Sequence, residues 1–212
     1  MVVTAGPVIF EHPVDRDAEL RGGAGIVRFL DLPATRAVMI DGDGAPGPDA
    51  FVPRMPGLYT TAYKVRFGLK ARGVVTKVGP LEGLWWTSDG STDLDAVFGG
   101  AGERGTWRWT LLIALPDEAT DDELERAVGA GRAKLGEAFA PSLRIEALAE
   151  GRVAQLLHLG PYATERASIE RLHAAVAEAG LRLRGRHHEL YLGNPQASAP
   201  GRLRTILRHP VE

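Results

Sequence analysis

A chain of 212 residues with 44% hydrophobic and 25% charged side chains has the make-up of an ordinary folded protein, which excludes the disordered, collagen-like and coiled-coil classes. Its 25 basic and 27 acidic residues leave a net charge of −2, so no global attraction draws it to nucleic acid or to an anionic membrane. The lack of cysteine excludes disulfides, thiolate metal sites and a cysteine nucleophile together.

The charge is unevenly spread. Residues 1–150 carry 16 basic and 22 acidic side chains, whereas 151–212 carry 9 arginines, 5 acids and five of the six histidines. A basic edge paired against acidic helices accounts for this without a nucleic-acid partner, and none is expected. No apolar run nears the roughly 18 residues that span a bilayer. The start, Met1 to Phe10, has neither a basic leader nor a small-residue cleavage site, so the reading is a cytoplasmic protein with no membrane partner.

Residues 1–32 are rich in Pro, Gly and Asp and read as an irregular N-terminal arm before a domain of residues 33–212. Val38-Met39-Ile40 is a buried strand that runs into the loop Asp41 to Pro48. Pro56 suits a first helical turn, and Met55, Leu58, Ala62, Val65 and Leu69 recur at spacings of three and four, with Gly73 as the stop. Tyr59 and Tyr63 form a second stripe bordering that core stripe. Leu81 to Thr87 and Thr106 to Leu115 read as strands joined by a Gly- and Asp-rich connection. Thr120-Asp121-Asp122-Glu123 has the pattern of a capping box opening a helix. Leu143 to Ala149 and Arg152 to His158 read as a hairpin around Glu150-Gly151. Thr164 caps a helix with Ile169, Leu172 and Val176 inward and Gly180 as its stop, and Arg186 to Leu192 and Leu203 to Arg208 supply the last strands.

The two halves repeat. Val38-Met39-Ile40-Asp41-Gly42 matches Leu156-Leu157-His158-Leu159-Gly160, Glu82-Gly83-Leu84-Trp85-Trp86 matches His188-Glu189-Leu190-Tyr191-Leu192, and Trp107 to Leu112 corresponds to Arg202 to Leu207. Each half is a strand, helix, strand, strand unit. The fold expected is α+β: duplicated βαββ units forming a curved antiparallel sheet with helices on one face and a central ligand cleft.

Particular residues carry a further likeness. His158-x-Gly160-Pro161-Tyr162, Leu172-His173, Leu183-x-Gly185-x-His187-His188-Glu189-x-Tyr191-Leu192-x-Asn194-Pro195 and the closing Pro200 to Val211 resemble the GyrI-like small-molecule-binding family. Met39-Ile40-Asp41-Gly42, Tyr59-x-x-Ala62-Tyr63, Pro80 to Trp86 and Trp107-x-Trp109 resemble its stand-alone branch. The resemblance implies the fold of effector-binding domains of multidrug-sensing regulators and of gyrase-inhibitory proteins. It also implies an enzyme that hydrolyses cyclopropane-bearing, DNA-alkylating natural products, a detoxifying role, with a planar aromatic molecule as partner and no cofactor. Glu189 matches the glutamate that meets cationic aromatic drugs in the multidrug sensors.

A carboxylate in the apolar strand of Glu189 must be hydrogen-bonded, paired or protonated, since an uncompensated buried charge costs several kcal/mol. Glu189 is therefore the candidate general base, and Tyr59 and Tyr63 are the candidate phenolic donors. Trp85, Trp86 and Trp109 are candidate ring contacts for the ligand, although strand alternation sends Trp85 and Trp86 to opposite faces while Trp107 and Trp109 share one. His158, Tyr162 and Tyr191 complete the candidate binding set, with a packed, hydrogen-bonded His158 as the plainer reading. His187 and His188 resemble a metal pair, but neighbours on a strand point apart, so no metal site is expected. The rival readings are a drug-sequestering module without turnover and a protein that contacts gyrase, as monomer or homodimer.

Overall fold

The computed structural model describes residues 8–45, 47–88, 107–193 and 198–212. The Gly- and Asp-rich connection after Ser88, Pro46 of the first loop, and Asn194 and Pro195 of the family-like motif lie outside the described residues. In chain order the elements are α1 (Arg16–Glu19), β1 (Arg28–Leu32), β2 (Thr35–Asp43), α2 (Pro48–Phe51), α3 (Met55–Ala71), β3 (Leu81–Thr87), β4 (Trp107–Ala114), α4 (Asp121–Arg132), β5 (Arg144–Leu148), β6 (Gly151–Leu159), α5 (Glu165–Glu178), β7 (His187–Tyr191) and β8 (Arg204–Pro210). The protein is α+β with antiparallel strand pairing, and the described residues sort into two compact units: a central one of residues 34–88 and 107–148, and a terminal one that combines residues 8–33 with those from Ala149 onward.

Both units use one plan. In the central unit the strands lie in the order β3-β4-β2-β5, and in the terminal unit in the order β7-β8-β6-β1. The repeat seen in the sequence thus corresponds to β2-α3-β3-β4 and β6-α5-β7-β8, each completed by one further strand. That extra strand follows the repeat in the central unit and precedes it in the terminal one. The stretch read as an irregular arm therefore contributes structure: β1 pairs antiparallel with β6, Leu30 opposite Val153, and Phe10 packs edge-on to Phe29 at 6.0 Å.

The proposed hairpin around Glu150-Gly151 does not form. β5 pairs with β2, Val38 opposite Ile145, whereas β6 pairs with β1 and β8. The reason is burial. Val153 to His158 is buried on both faces and needs a partner on each side, while β5 is half-exposed and suits an edge. Gly151, at φ +64, supplies the left-handed bend between them.

In the central unit Leu58, Ala62, Val65 and Leu69 form the buried stripe of α3, and α4 packs closely upon that helix. A Cβ on Gly131 would collide with the Thr61 hydroxyl and the Gly57 carbonyl, so only glycine permits this approach. The capping box is present: Glu123 N donates to Thr120 Oγ1 at 3.3 Å and Thr120 N donates to Glu123 Oε2 at 2.9 Å. Thr164, by contrast, stands at the N-cap of α5 without capping it. It closes a 3-10 turn, and its hydroxyl donates to the Pro161 carbonyl at 2.8 Å.

In the terminal unit Ile169, Leu172 and Val176 of α5 pack on Ala154 and Leu156 of β6 and on Leu207 and Val211. The opposite face of this sheet is held by a buried polar network. Arg208, 1% exposed, donates to Glu19 Oε1 at 2.5 Å, to Glu150 Oε2 at 3.0 Å and to Gln155 Oε1 at 3.0 Å, while His188 Nδ1 lies 3.0 Å from Glu150 Oε1. Burial alone pushes the Glu150 carboxyl up, but His188 and Arg208 outweigh it and hold the group far below the ordinary carboxylate range. Removing Arg208 strands two buried carboxylates. Arg208→Met is expected to lose about 3–5 kcal/mol in urea denaturation; a loss below about 1 kcal/mol would show the network to be dispensable.

Candidate functional site

Strand alternation sorts the side chains of β7. His188 goes to the Arg208 network, so its neighbours His187 and Glu189, and Tyr191 beyond, face the side covered by α5. There the Tyr191 hydroxyl donates to Glu189 Oε2 at 2.9 Å, and His187 Nε2 lies 3.4 Å from Glu189 Oε1. The side chain of Glu189 is 14% exposed. It is held and sheltered, as a carboxylate in an apolar strand requires.

A second acid meets it. Glu165 opens α5, where a carboxylate ordinarily serves the helix dipole and is held ionised. Here it is buried, and its Oε1 has no hydrogen-bond partner among the described residues. Burial first, and the charge of Glu189 second, push the Glu165 carboxyl up to about 8, against a smaller opposing effect of the Thr205 hydroxyl. Glu165 thus keeps its proton at neutral pH beside Glu189. Tyr162 packs edge-on to Tyr191 at 5.8 Å, and its phenol is raised by burial and then by Glu165 and Glu189.

His158 is tied within the same unit. Its Nδ1 lies 2.9 Å from Ser168 Oγ and its Nε2 lies 3.3 Å from Thr164 Oγ1, which engages both ring nitrogens.

The central unit gathers rings. Trp85 stands opposite Trp109 in the strand register, with ring centroids 6.4 Å apart, and Trp107 lies 5.8 Å from Trp85. Phe51 packs on both Trp85, at 6.0 Å, and Trp109, at 5.0 Å, while the Arg54 guanidinium lies 4.9 Å over Trp109. Trp109 is fully buried and Trp85 nearly so. Trp86 points to the other face and packs with Ala37, Met39, Leu84 and Leu112. Tyr59 and Tyr63 are partly exposed on α3 and continue into Phe67 as a ladder of rings spaced 6.5 and 6.0 Å.

Of the residues singled out from the sequence, the terminal unit brings Glu189, Tyr191 and Tyr162 together, and the central unit brings Trp85 and Trp109 together without Trp86. Glu165 was not legible as part of this set. Its place at a helix start looked ordinary, and only the strand across from it makes it unusual. Among the described residues no three His, Asp or Glu side chains are grouped to hold a metal ion, and no helix is long and apolar enough to cross a membrane.

The family model of the GyrI-like small molecule binding domain matches residues 27–212. The chain belongs to that family. Its likeness to solved structures spans nearly its whole length. An uncharacterized conserved protein from Listeria innocua is 29% identical, with a TM-score of 0.73 over 89% of this chain and 93% of that one. A hydrolase from the same organism is 25% identical, with a TM-score of 0.75 over 98% of this chain and 100% of that one. The C-terminal domain of EcmrR shares the fold at 11% identity, with a TM-score of 0.56 over 88% of this chain and 97% of that one. Among curated proteins nothing matches.

The raised Glu165 carboxyl makes a stability prediction with a definite sign. The folded protein holds this proton up to about pH 8, whereas the unfolded chain releases it near 4.5, so the folded state binds more protons across that window and loses stability as pH rises through it. Glu165→Gln removes the titration. The melting temperature of the wild type relative to this variant is expected to fall by at least 2–4 °C, about 1 kcal/mol in a chain of this size, between pH 5 and pH 8. Parallel curves would remove the raised acid from the account.

Proposed function

We propose that the protein binds planar, largely apolar small molecules and hydrolyses the cyclopropane ring of DNA-alkylating natural products. Membership of a small-molecule-binding family supports the first half, and the similarity to a hydrolase over the full length of both chains supports the second. The observation that carries the chemistry is the Glu165 and Glu189 pair, in which a buried acid keeps its proton beside a carboxylate fixed by Tyr191.

In the reaction, water attacks the methylene of a cyclopropane conjugated to a dienone. A carbon–oxygen bond forms, the strained carbon–carbon bond breaks, and its electron pair moves through the ring to the dienone oxygen, which takes a proton and becomes a phenol. Water is the only co-reactant. Glu189 accepts the proton of the attacking water. Charge developing on the dienone oxygen calls for a donor, a role for which Tyr59 and Tyr63 are the phenols marked by the sequence and Tyr162 the phenol beside the carboxylates. On the same reading the planar ligand meets tryptophan on one face of the strands, either Trp85 with Trp109 or Trp86, and Tyr191 holds Glu189.

The test is turnover of a cyclopropane-bearing alkylating agent at substoichiometric protein, followed as a product one water heavier than the substrate. Glu189→Gln is expected to lower kcat by about 10²–10⁴-fold while ligand binding, read by tryptophan quenching, persists. Tyr59→Phe, Tyr63→Phe and Tyr162→Phe in the same assay assign the donor. Tight binding with no product would make the protein a sequestering module instead.

A further inference from the structure

Five of the six histidines fall in the last 62 residues, and three of them stand in a row beneath α5. His173 of α5 packs edge-on to His209 of β8 with centroids 5.6 Å apart, and His209 lies 5.9 Å from His187 of β7. The row ends at Glu189, whose Oε1 is 3.4 Å from His187 Nε2. His188 and Arg208, next in the strand register, belong to the network on the other face.

We propose that His187 is a positioning residue for Glu189: a proton entering the imidazole row settles on His187, which then pairs with the Glu189 carboxylate and withdraws it from use as a base. This rests on the reading of Glu189 as the base.

The groups around His187 leave one place for that charge. From β8 it is faced by His209, from α5 by His173, and along its own strand by Glu189, which Tyr191 holds from the far side; Glu165 of α5 acts on Glu189, and Glu150 acts on His209. Burial first, then the other imidazoles, press His209 down to about 3, with Glu150 opposing. Burial and then His187 press His173 down to about 4. The ring nitrogens of His187 and His209 and Nε2 of His173 all lack a hydrogen-bond partner among the described residues, so what sets His187 apart is the Glu189 carboxylate 3.4 Å from its Nε2. Of the three imidazoles only His187 lies against a carboxylate, and an opposite charge at that range favours protonation. Once charged, His187 also relieves the repulsion between Glu189 and Glu165.

Two measurements test this. The first is the pH profile of kcat/KM on a cyclopropane-bearing substrate, where the acid limb of the wild type is expected to move to lower pH by about one unit or more in His187→Gln, whatever happens to the plateau. A lower plateau with an unmoved limb indicates a merely structural side chain and overturns the proposal. The second needs no activity: imidazole resonances of the isotope-labelled full-length chain are followed against pH in the wild type and in Glu189→Gln. His187 is expected to titrate about one unit or more lower once the carboxylate is gone, while His173 and His209 stay uncharged until the chain unfolds. A His187 titration indifferent to Glu189→Gln, or a charge that appears first on His173 or His209, overturns the proposal. Should the wild type turn over no substrate, the proposed activity fails and the resonance measurement alone decides whether His187 and Glu189 are coupled.

Discussion

The side to which β7 turns its acid is decided by a guanidinium on the strand next to it. Arg208 is buried with two carboxylates and a glutamine, and His188 enters the same network through Glu150. A strand has two faces and a period of two. Because His188 is committed to the Arg208 side, His187, Glu189 and Tyr191 have only the α5 side left. A slip of one residue would bring Glu189 against Arg208 and send His188 under α5. Removing one partner of such a network is costly because the others are left buried and charged, and that cost protects the register on which the carboxylate pair depends.

The same network explains why residues before the repeat belong to the structure. Glu19 of α1 reaches Arg208, and its carbonyl accepts from Gln155 Nε2 at 2.7 Å. A few residues later β1 fills the open edge of β6. In the terminal half it is this segment ahead of the repeat that supplies the fourth strand. The family model begins at residue 27, next to the first residue of β1.

Much of the fold was legible because its signals are local. The spacing of Leu58, Ala62, Val65 and Leu69 can be met only by a helix with one buried stripe, and the Thr120 capping box fixes its own boundary. The failures lie where a partner distant in sequence decides. Leu143 to Ala149 and Arg152 to His158 had the look of a hairpin, yet the double burial of β6 gave both of its edges to other strands. Thr164 had the right residue type for a cap but sat in a 3-10 turn with its hydroxyl already spent on Pro161. Glu189 was legible because an acid in an apolar strand is locally anomalous; Glu165 was not, because an acid at a helix start is locally normal. Its raised carboxyl is a property of the pair, and no single position in the sequence carries it.

The duplication gives this pair its meaning. Where the terminal half has Glu189 and Tyr191, the central half has Gly83 and Trp85, and a Cβ on Gly83 would run into the Trp85 ring. At one repeat position, then, one half gave up its side chain to let an indole lie against the strand, and the other keeps a carboxylate close to a second acid. The two solutions differ in kind. Stacked rings stabilise a core by burial and by edge-to-face contact, so the central half gains stability from its choice. A proton held on Glu165 to about pH 8 means that the folded state resists ionisation, and stability falls across the neutral range. Nothing in the packing of the terminal half requires that arrangement, since a glutamine of the same size at residue 165 would be free of the penalty. Under the proposed function, a group that weakens its own fold at neutral pH has a use as a proton donor beside Glu189.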